Sequence, residues 1–501
     1  MDKGINDSQG ATSGTRLLIV SNRLPVILNE KDGKWSAAPG SGGLVTALAP
    51  VLRNRGGMWI GWPGTVETSG KQLEKALAGA TKESGFTLKP VPLTREERDR
   101  YYFGMANEII WPMFHDLFTR CSFDPAYWSS YQHVNRKFAH AIREQLNGNY
   151  IWVHDYHLMG VGQELREMGV KESIGFFLHT PFPPLDVFMK LPWRFQILRA
   201  LLSYDLIGFQ TLRDRRNFTQ CVRTLIRDAS VRGKGQVITL GLRDRDVRIG
   251  AFPISIDYKD FAQTAGTKEV MEQAHTIRRH LPNSQIILGV DRLDYTKGIP
   301  ERLRAFRNAL ARYPDLRERI VLIQIVVPSR RQIPEYQDLK TEIEVLVSEI
   351  NGRFTRSGWV PIHYMFRSLD RRELLAYYRT AEIALVTPLK DGMNLIAKEF
   401  CASSPGENCV LVLSEFAGAA AQLQKGALLV NPYDEEGVAD AIYEAFTMPI
   451  EERKQRMKRL RDSVRKQDIY RWVNSFLEAA IAKRLDNFPI VEDYLPQIEV
   501  R

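Results

Sequence analysis

Short apolar runs alternate with amphipathic stretches along this chain, and that alternation predicts a parallel α/β architecture. Apolar runs at 17–20, 58–62, 150–154 and 174–179, with LIGFQ and VRIGAFPISID after them, read as one series of strands. A second series starts near Gln285, where IILGVDRLDYTKG reads as a strand followed by a loop with Arg292 and Lys297, and continues at 320–327, 383–386 and 410–414, with a short ALLVNP strand. Helices are predicted between them, among them 299–313, 334–351, a stretch from Tyr101 that should stop at Pro112, and closing helices through about 484. A hairpin is expected through Asp32 and Gly33. Strands alternating with helices imply doubly wound parallel sheets in two α/β halves.

Composition narrows the class. At 501 residues the chain exceeds what one core usually supports, so two domains are expected. The 44% apolar and 26% charged content is that of a soluble globular protein. No run reaches membrane-spanning length and residues 1–15 lack a secretory pattern, so a cytoplasmic protein without a membrane partner is expected. Cys121, Cys221, Cys401 and Cys409 have no zinc-ligand spacing and fit free thiols in a reducing compartment. The net charge of +10 points to anionic partners. No nucleic-acid motif accompanies it, so phosphorylated small molecules are expected instead. The basic run 453–466 reads as the wet face of a helix.

Candidate chemistry gathers at strand ends. In IALVTPLKDGMNLIAKEF, a strand runs through a loop into a helix that Asn394 can cap, and that helix start can hold a phosphate. Glu399, a turn inside, can accept from two sugar hydroxyls, and Asp391 can face a sugar; two solvated acids are the plainer alternative. Arg292 and Lys297, five positions apart, can clamp a diphosphate. Arg23 and Arg330 are placed at strand ends, where α/β sheets bind ligands. Gly40, Gly42 and Gly43 precede a helix, but Val45 stands where a dinucleotide fingerprint needs glycine or alanine, so a tight turn remains open. Tyr102 and Trp111 fit either core or ligand. His154 to His157 hint at a metal, but no third ligand follows at a telling spacing, and Asp155 is better read as a sugar contact. His179 is either a buried ring or a substrate contact.

SNRLP at 21–25, GGL at 42–44, YY with WPMFH at 101–115, HDYH at 154–157, GFFLHTPFP at 175–183, DRLDYTKG at 291–298 and TPLKDGMNLIAKE at 387–399 resemble the trehalose-6-phosphate synthase family in order, from about 16 to about 480. The resemblance implies the GT-B fold, two Rossmann-like domains facing each other across a substrate cleft. It implies transfer of glucose, with retention, from UDP-glucose or another NDP-glucose to glucose 6-phosphate. Expected boundaries are a tail at 1–15, an acceptor domain at 16–252, a nucleotide-sugar domain at 253–475 and a segment at 476–501 packing back on the first. By the same resemblance Arg292 and Lys297 bind the donor diphosphate, helped by the amides of Gly42 and Gly43 and of Asn394 and Leu395. Glu399 holds the ribose, backbone near Leu369 meets the base, and Asp391 and His179 position the donor glucose. Arg23 and Arg330 grip the acceptor phosphate, while Tyr102, Trp111 and Asp155 shape its sugar. No metal and no cofactor beyond the co-substrate are expected, nor a fused phosphatase domain, and the protein is expected to be a homo-oligomer.

Two other readings stay in view. A smaller acceptor such as glycerol 3-phosphate would leave Arg23, Tyr102, Trp111 and Arg330 without partners, and a catalytically silent regulatory relative would not need Arg292, Lys297, Asp391 and Glu399 together. A nicotinamide dehydrogenase lacks its glycine fingerprint.

Overall fold

The computed structural model describes residues 17–31, 34–40, 43–66, 70–330, 333–482, 485, 488 and 491–496. The tail at 1–15, the predicted turn at Asp32 and Gly33, and Gly42 lie outside them. The chain divides into two compact units, one of residues 1–101, 126–177 and 196–205, the other of 102–125, 178–195 and 206–501.

In the first unit a parallel sheet runs in the order Thr87–Pro90, Gly57–Trp62, Leu17–Arg23, Tyr150–His154, Ile174–Phe177. Its central strands bury both faces, which is why LLIV and YIWV read as unbroken apolar runs. Strands Val26–Lys31 and Lys34–Pro39 pair antiparallel, as the predicted hairpin requires.

The second unit holds a six-stranded parallel sheet in the order Ile362–Phe366, Ile320–Val327, Gln285–Arg292, Ile383–Val386, Val410–Ser414, Leu428–Val430. Strands Leu206–Phe209, Asp246–Ala251, Val237–Gly241 and Ser230–Arg232 form a further group, the first pair parallel and the rest antiparallel. Helices Ile299–Arg312 and Pro334–Phe354 fall close to their predicted spans, helix Leu395–Ala402 starts after the expected Asn394 cap, and Ile469–Ile481 is the last of the closing helices.

Four expectations need correction. Strand Ile174–Phe177 ends before His179, because Thr180 and the prolines at 181, 183 and 184 lead the chain into irregular backbone. Strand Ile320–Val327 has its predicted bounds, but Arg330 does not end it: it stands beyond Pro328 and Ser329, in left-handed backbone with φ 47°. Pro112 does not stop its helix: a wide π-type stretch, Arg98–Ile110, passes directly into Trp111–Phe114, and Pro112 stands where the winding changes. The run 453–466 is not uniformly wet. Arg453 is buried, donating to the carbonyls of Ala445, Phe446 and Met448 and so satisfying the end of helix Glu435–Thr447.

Candidate active site

In the second unit, strand Ile383–Val386 delivers the chain into a loop that closes at Asn394. Asn394 adopts φ 74°, a region asparagine tolerates, and its Oδ1 accepts from the amide of Ala397 at 3.2 Å. Its Nδ2 donates to Asp391 at 3.2 Å, so the cap also orients the acid. The cap leaves the amides of Leu395 and Ile396 without intrahelical acceptors at the start of helix Leu395–Ala402, a site suited to an anion. Glycine is required at 392, where a Cβ would run into the carbonyl of His179. His179 is thereby held against the acidic loop by backbone contact.

Strand Gln285–Arg292 supplies the cations. Arg292 is exposed and makes no hydrogen bond or ion pair among the described residues. Lys297 follows on a short turn, buried, with Nζ 2.6 Å from Asp391. Burial alone would raise the Asp391 carboxyl, but Lys297, with His115 and Arg292 behind it, outweighs that and holds it below the usual range. Lys297 keeps two further N–H donors, and Arg292 is an unspent charge. Beneath them Arg302, fully buried, donates to Asp291 at 2.5 Å, to Thr387 at 3.0 Å and to Gln324 at 3.2 Å. That network ties three neighbouring strands together under the site.

A second cationic corner forms around Asp294, which accepts from the amide and hydroxyl of Thr296 at 3.0 and 2.9 Å. Trp111 Nε1 donates to it at 3.4 Å and Arg330 lies 3.5 Å away. Burial pushes Asp294 up, and Arg330, Lys297 and Arg292 together pull it below its ordinary value. The Arg330 guanidinium lies 4.4 Å from the Trp111 ring centre and is hydrogen-bonded to the Tyr336 hydroxyl. His115, buried one turn beyond Trp111, engages the Trp111 carbonyl through Nδ1 at 2.7 Å. Burial and the Lys297 charge push its pKa down to about 4, so the ring is neutral near pH 7. Desolvation likewise holds His179 down to about 3, and that ring lies 6.2 Å from Trp472.

Glu399, on helix Leu395–Ala402, accepts from the Tyr378 hydroxyl at 2.9 Å, and burial raises its pKa. Its other carboxyl oxygen has no partner among the described residues and can accept from a ligand hydroxyl. Leu369 is half-buried in the loop before helix Arg371–Thr380, which Asp370 caps. Tyr102, half-buried, presents its carbonyl to Asn107 Nδ2.

In the first unit, Arg23 and Asp155 stand at the carboxyl ends of paired strands. The Arg23 guanidinium lies 4.6 Å from the Trp62 ring centre, and Gly64, at φ 92°, has no Cβ to obstruct it. Asp155 adopts φ 75°, its amide donating to the Phe177 carbonyl at 2.8 Å. Gly43 opens helix Gly43–Arg55. The second unit thus joins Trp111, Arg292, Lys297, Arg330, Asp391 and Asn394 into one electrostatic cluster with the backbone of His179 against its loop. Arg23 and Asp155 form a separate strand-end pair in the first.

Sequence reasoning missed Asp294, His115, Tyr336 and Tyr378. Asp294 was visible as the second acid of DRLD, and His115 lies four positions after Trp111, one helical turn. Tyr336 and Tyr378 carry no local signal, since each meets its partner only through packing.

The sequence pattern of Glycosyltransferase family 20 matches residues 15–482. The trehalose-6-phosphate synthase of Mycobacterium avium (strain 104) is 42% identical over 471 residues, covering 92% of this chain and 94% of that protein. That of Mycobacterium leprae (strain TN) is 42% identical over 487 residues, covering 95% of each. A UDP-forming alpha,alpha-trehalose-phosphate synthase from Burkholderia xenovorans, solved in complex with glucose-6-phosphate, superposes with a TM-score of 0.83 at 36% identity, covering 93% of this chain and 100% of that one. The trehalose-6-phosphate enzyme from E. coli bound with UDP-2-fluoro glucose superposes with a TM-score of 0.82 at 35% identity, covering 93% and 99%.

Proposed function

From the premise that the chain belongs to glycosyltransferase family 20 and has the GT-B fold, we propose that it transfers glucose from UDP-glucose or another NDP-glucose to glucose 6-phosphate, giving trehalose 6-phosphate with retention. The observation that carries this reading is the loop 387–394. It places Asp391 on Lys297 at 2.6 Å beside a helix start with open amides, while Arg292 is left unpaired among the described residues. Positive charge and N–H donors gathered there suit a leaving diphosphate.

In the proposed reaction the bond from C1 of the donor glucose to the diphosphate oxygen breaks. The anomeric oxygen of the acceptor forms the new bond on the same face, and its proton passes to the departing diphosphate oxygen. Arg292, Lys297 and the Leu395 amide stabilise the charge that builds on the diphosphate, with Gly42 and Gly43 adding backbone donors. Glu399 accepts from the ribose hydroxyls, and backbone near Leu369 meets the base. Asp391 and the neutral His179 orient the donor glucose. Arg23 and Arg330 bind the acceptor phosphate, and Tyr102, Trp111 and Asp155 bind its sugar. In this reading residues 16–252 form the acceptor half and 253–475 the donor half. Cys121, Cys221, Cys401 and Cys409 are free thiols, which suits a cytoplasmic setting. No helix among the described residues is long and apolar enough to cross a membrane.

The test is a product assay on purified protein with glucose 6-phosphate and UDP-, GDP- or ADP-glucose in turn, the disaccharide identified by NMR. An α,α-1,1-linked phosphorylated disaccharide is expected. Transfer to glycerol 3-phosphate but not to glucose 6-phosphate, or no transfer by folded protein, would overturn the reading.

A further inference from the structure

The reaction leaves much of the chain's positive charge unused. Residues 211–235 carry seven cations and two acids, a net +5 out of the chain's +10. Helix Leu212–Leu225 and the loop between strands Ser230–Arg232 and Val237–Gly241 form the two walls of a groove of about 640 Å³, within the size range of small-molecule sites. Arg215, Arg216 and Arg223 line it from the helix and Lys234 from the loop.

The state of each charge decides what the groove can do. Arg215 is spent on structure: its Nη1 donates to the carbonyls of Gly235 at 2.5 Å and Gln236 at 2.9 Å, which fixes the loop against the helix. Its Nε is buried with no partner among the described residues, leaving a partly desolvated guanidinium to which none of their carboxylates is bonded. Arg216 is paired with Asp493 at 2.6 Å. Arg223 and Lys234 are exposed and make no hydrogen bond or ion pair among the described residues. The Thr219 hydroxyl donates to the Arg215 carbonyl at 2.7 Å, whereas the Gln220 amide has no partner among the described residues and can donate. Gly233 and Gly235, at φ 92° and 93°, shape the loop that carries Lys234 across from the helix. Asp214, the acid on the same helix turn, is buried, accepts from the Thr211 hydroxyl and the Phe182 amide, and does not line the groove. Two cations without partners among the described residues thus line one groove, on elements that Arg215 holds together, and can take a multivalent anion between them.

We propose that this groove binds a phosphorylated small molecule with at least two negative charges, held between Arg223 and Lys234, at a site separate from the cluster around Lys297. Inorganic pyrophosphate is the probe, titrated calorimetrically into the full chain with UDP present at saturation to occupy the donor site. The wild-type protein is expected to retain one binding event. The double variant Arg223→Gln/Lys234→Gln should weaken it at least tenfold while transferase turnover without pyrophosphate stays unchanged. The variant Lys458→Gln/Arg459→Gln, which removes the same charge from an exposed helix elsewhere, should bind as wild type does. Absence of any wild-type binding, or equal weakening in the two double variants, would overturn the site, the second result because it reports only the overall field of a basic protein.

Discussion

Lys297 and Arg292 look equivalent as two cations near a strand end, but their settings differ. Lys297 is buried and paired, whereas Arg292 is exposed and open. Lys297→Ala should therefore lower turnover and also destabilise the fold, because Asp391 would be left a charge without its ion-pair partner, at a cost of about 3–5 kcal/mol. Arg292→Ala should lower turnover by about 10²-fold or more with little change in melting temperature. Steady-state rates alongside thermal melts separate the two, and unchanged turnover in both variants would remove them from the donor site. Arg23→Ala should instead raise KM for glucose 6-phosphate, by about tenfold or more, with smaller effect on kcat. An unaltered acceptor KM would dismiss its role in phosphate binding. Most of these residues were legible in the sequence because they stand near the ends of apolar runs. Their pairing was not, since Lys297 and Asp391 lie 94 positions apart.

At the scale of the element, the helix start at Asn394 does two tasks with one side chain. Its carbonyl oxygen caps the helix and its amide steadies Asp391. Asn394→Ala should cost about 1 kcal/mol for the cap, with further strain because alanine resists the left-handed backbone. Donor KM should rise in parallel, and a fall in stability without any change in donor KM would show that the cap does not set the donor site. The capping role was readable from an asparagine ahead of an apolar helical stretch. The left-handed geometry was not, because it arises from closure of the loop against His179 and Ala417.

Across the whole molecule, buried titratable groups make stability depend on pH. His115 and His179 have pKa values depressed to about 4 and about 3, below the unfolded value near 6.5. Between those limits the unfolded chain binds more protons, so their contribution is complete above about pH 6.5 and is lost as pH falls toward 4. Lys398, buried and donating to the Ile254 carbonyl and to Gln422 at 2.6 Å each, is lowered to about 7 by desolvation. Its contribution therefore grows from about pH 7 to 10.5. Melting temperature is expected to fall from pH 6.5 to 4.5 in the wild type, and less steeply in a His115→Gln variant. Equal slopes would assign the acid sensitivity to other groups.

The order of strands and helices, the two-part α/β build and the family signature follow from the sequence alone, because apolar periodicity and turn residues are local properties of a chain. Local rules failed where they met packing: the strand expected to reach His179 ended at Phe177, and Arg453, counted as a surface charge, was drawn inward by open helix carbonyls. Only the tertiary structure decided which charges are spent and which remain open. Asp294 gathers Trp111 and Arg330, Glu399 meets Tyr378, and Lys297 reaches Asp391, each across a separation that no periodicity encodes. Burial then sets their protonation, since desolvation depends on what surrounds a group rather than on its neighbours along the chain.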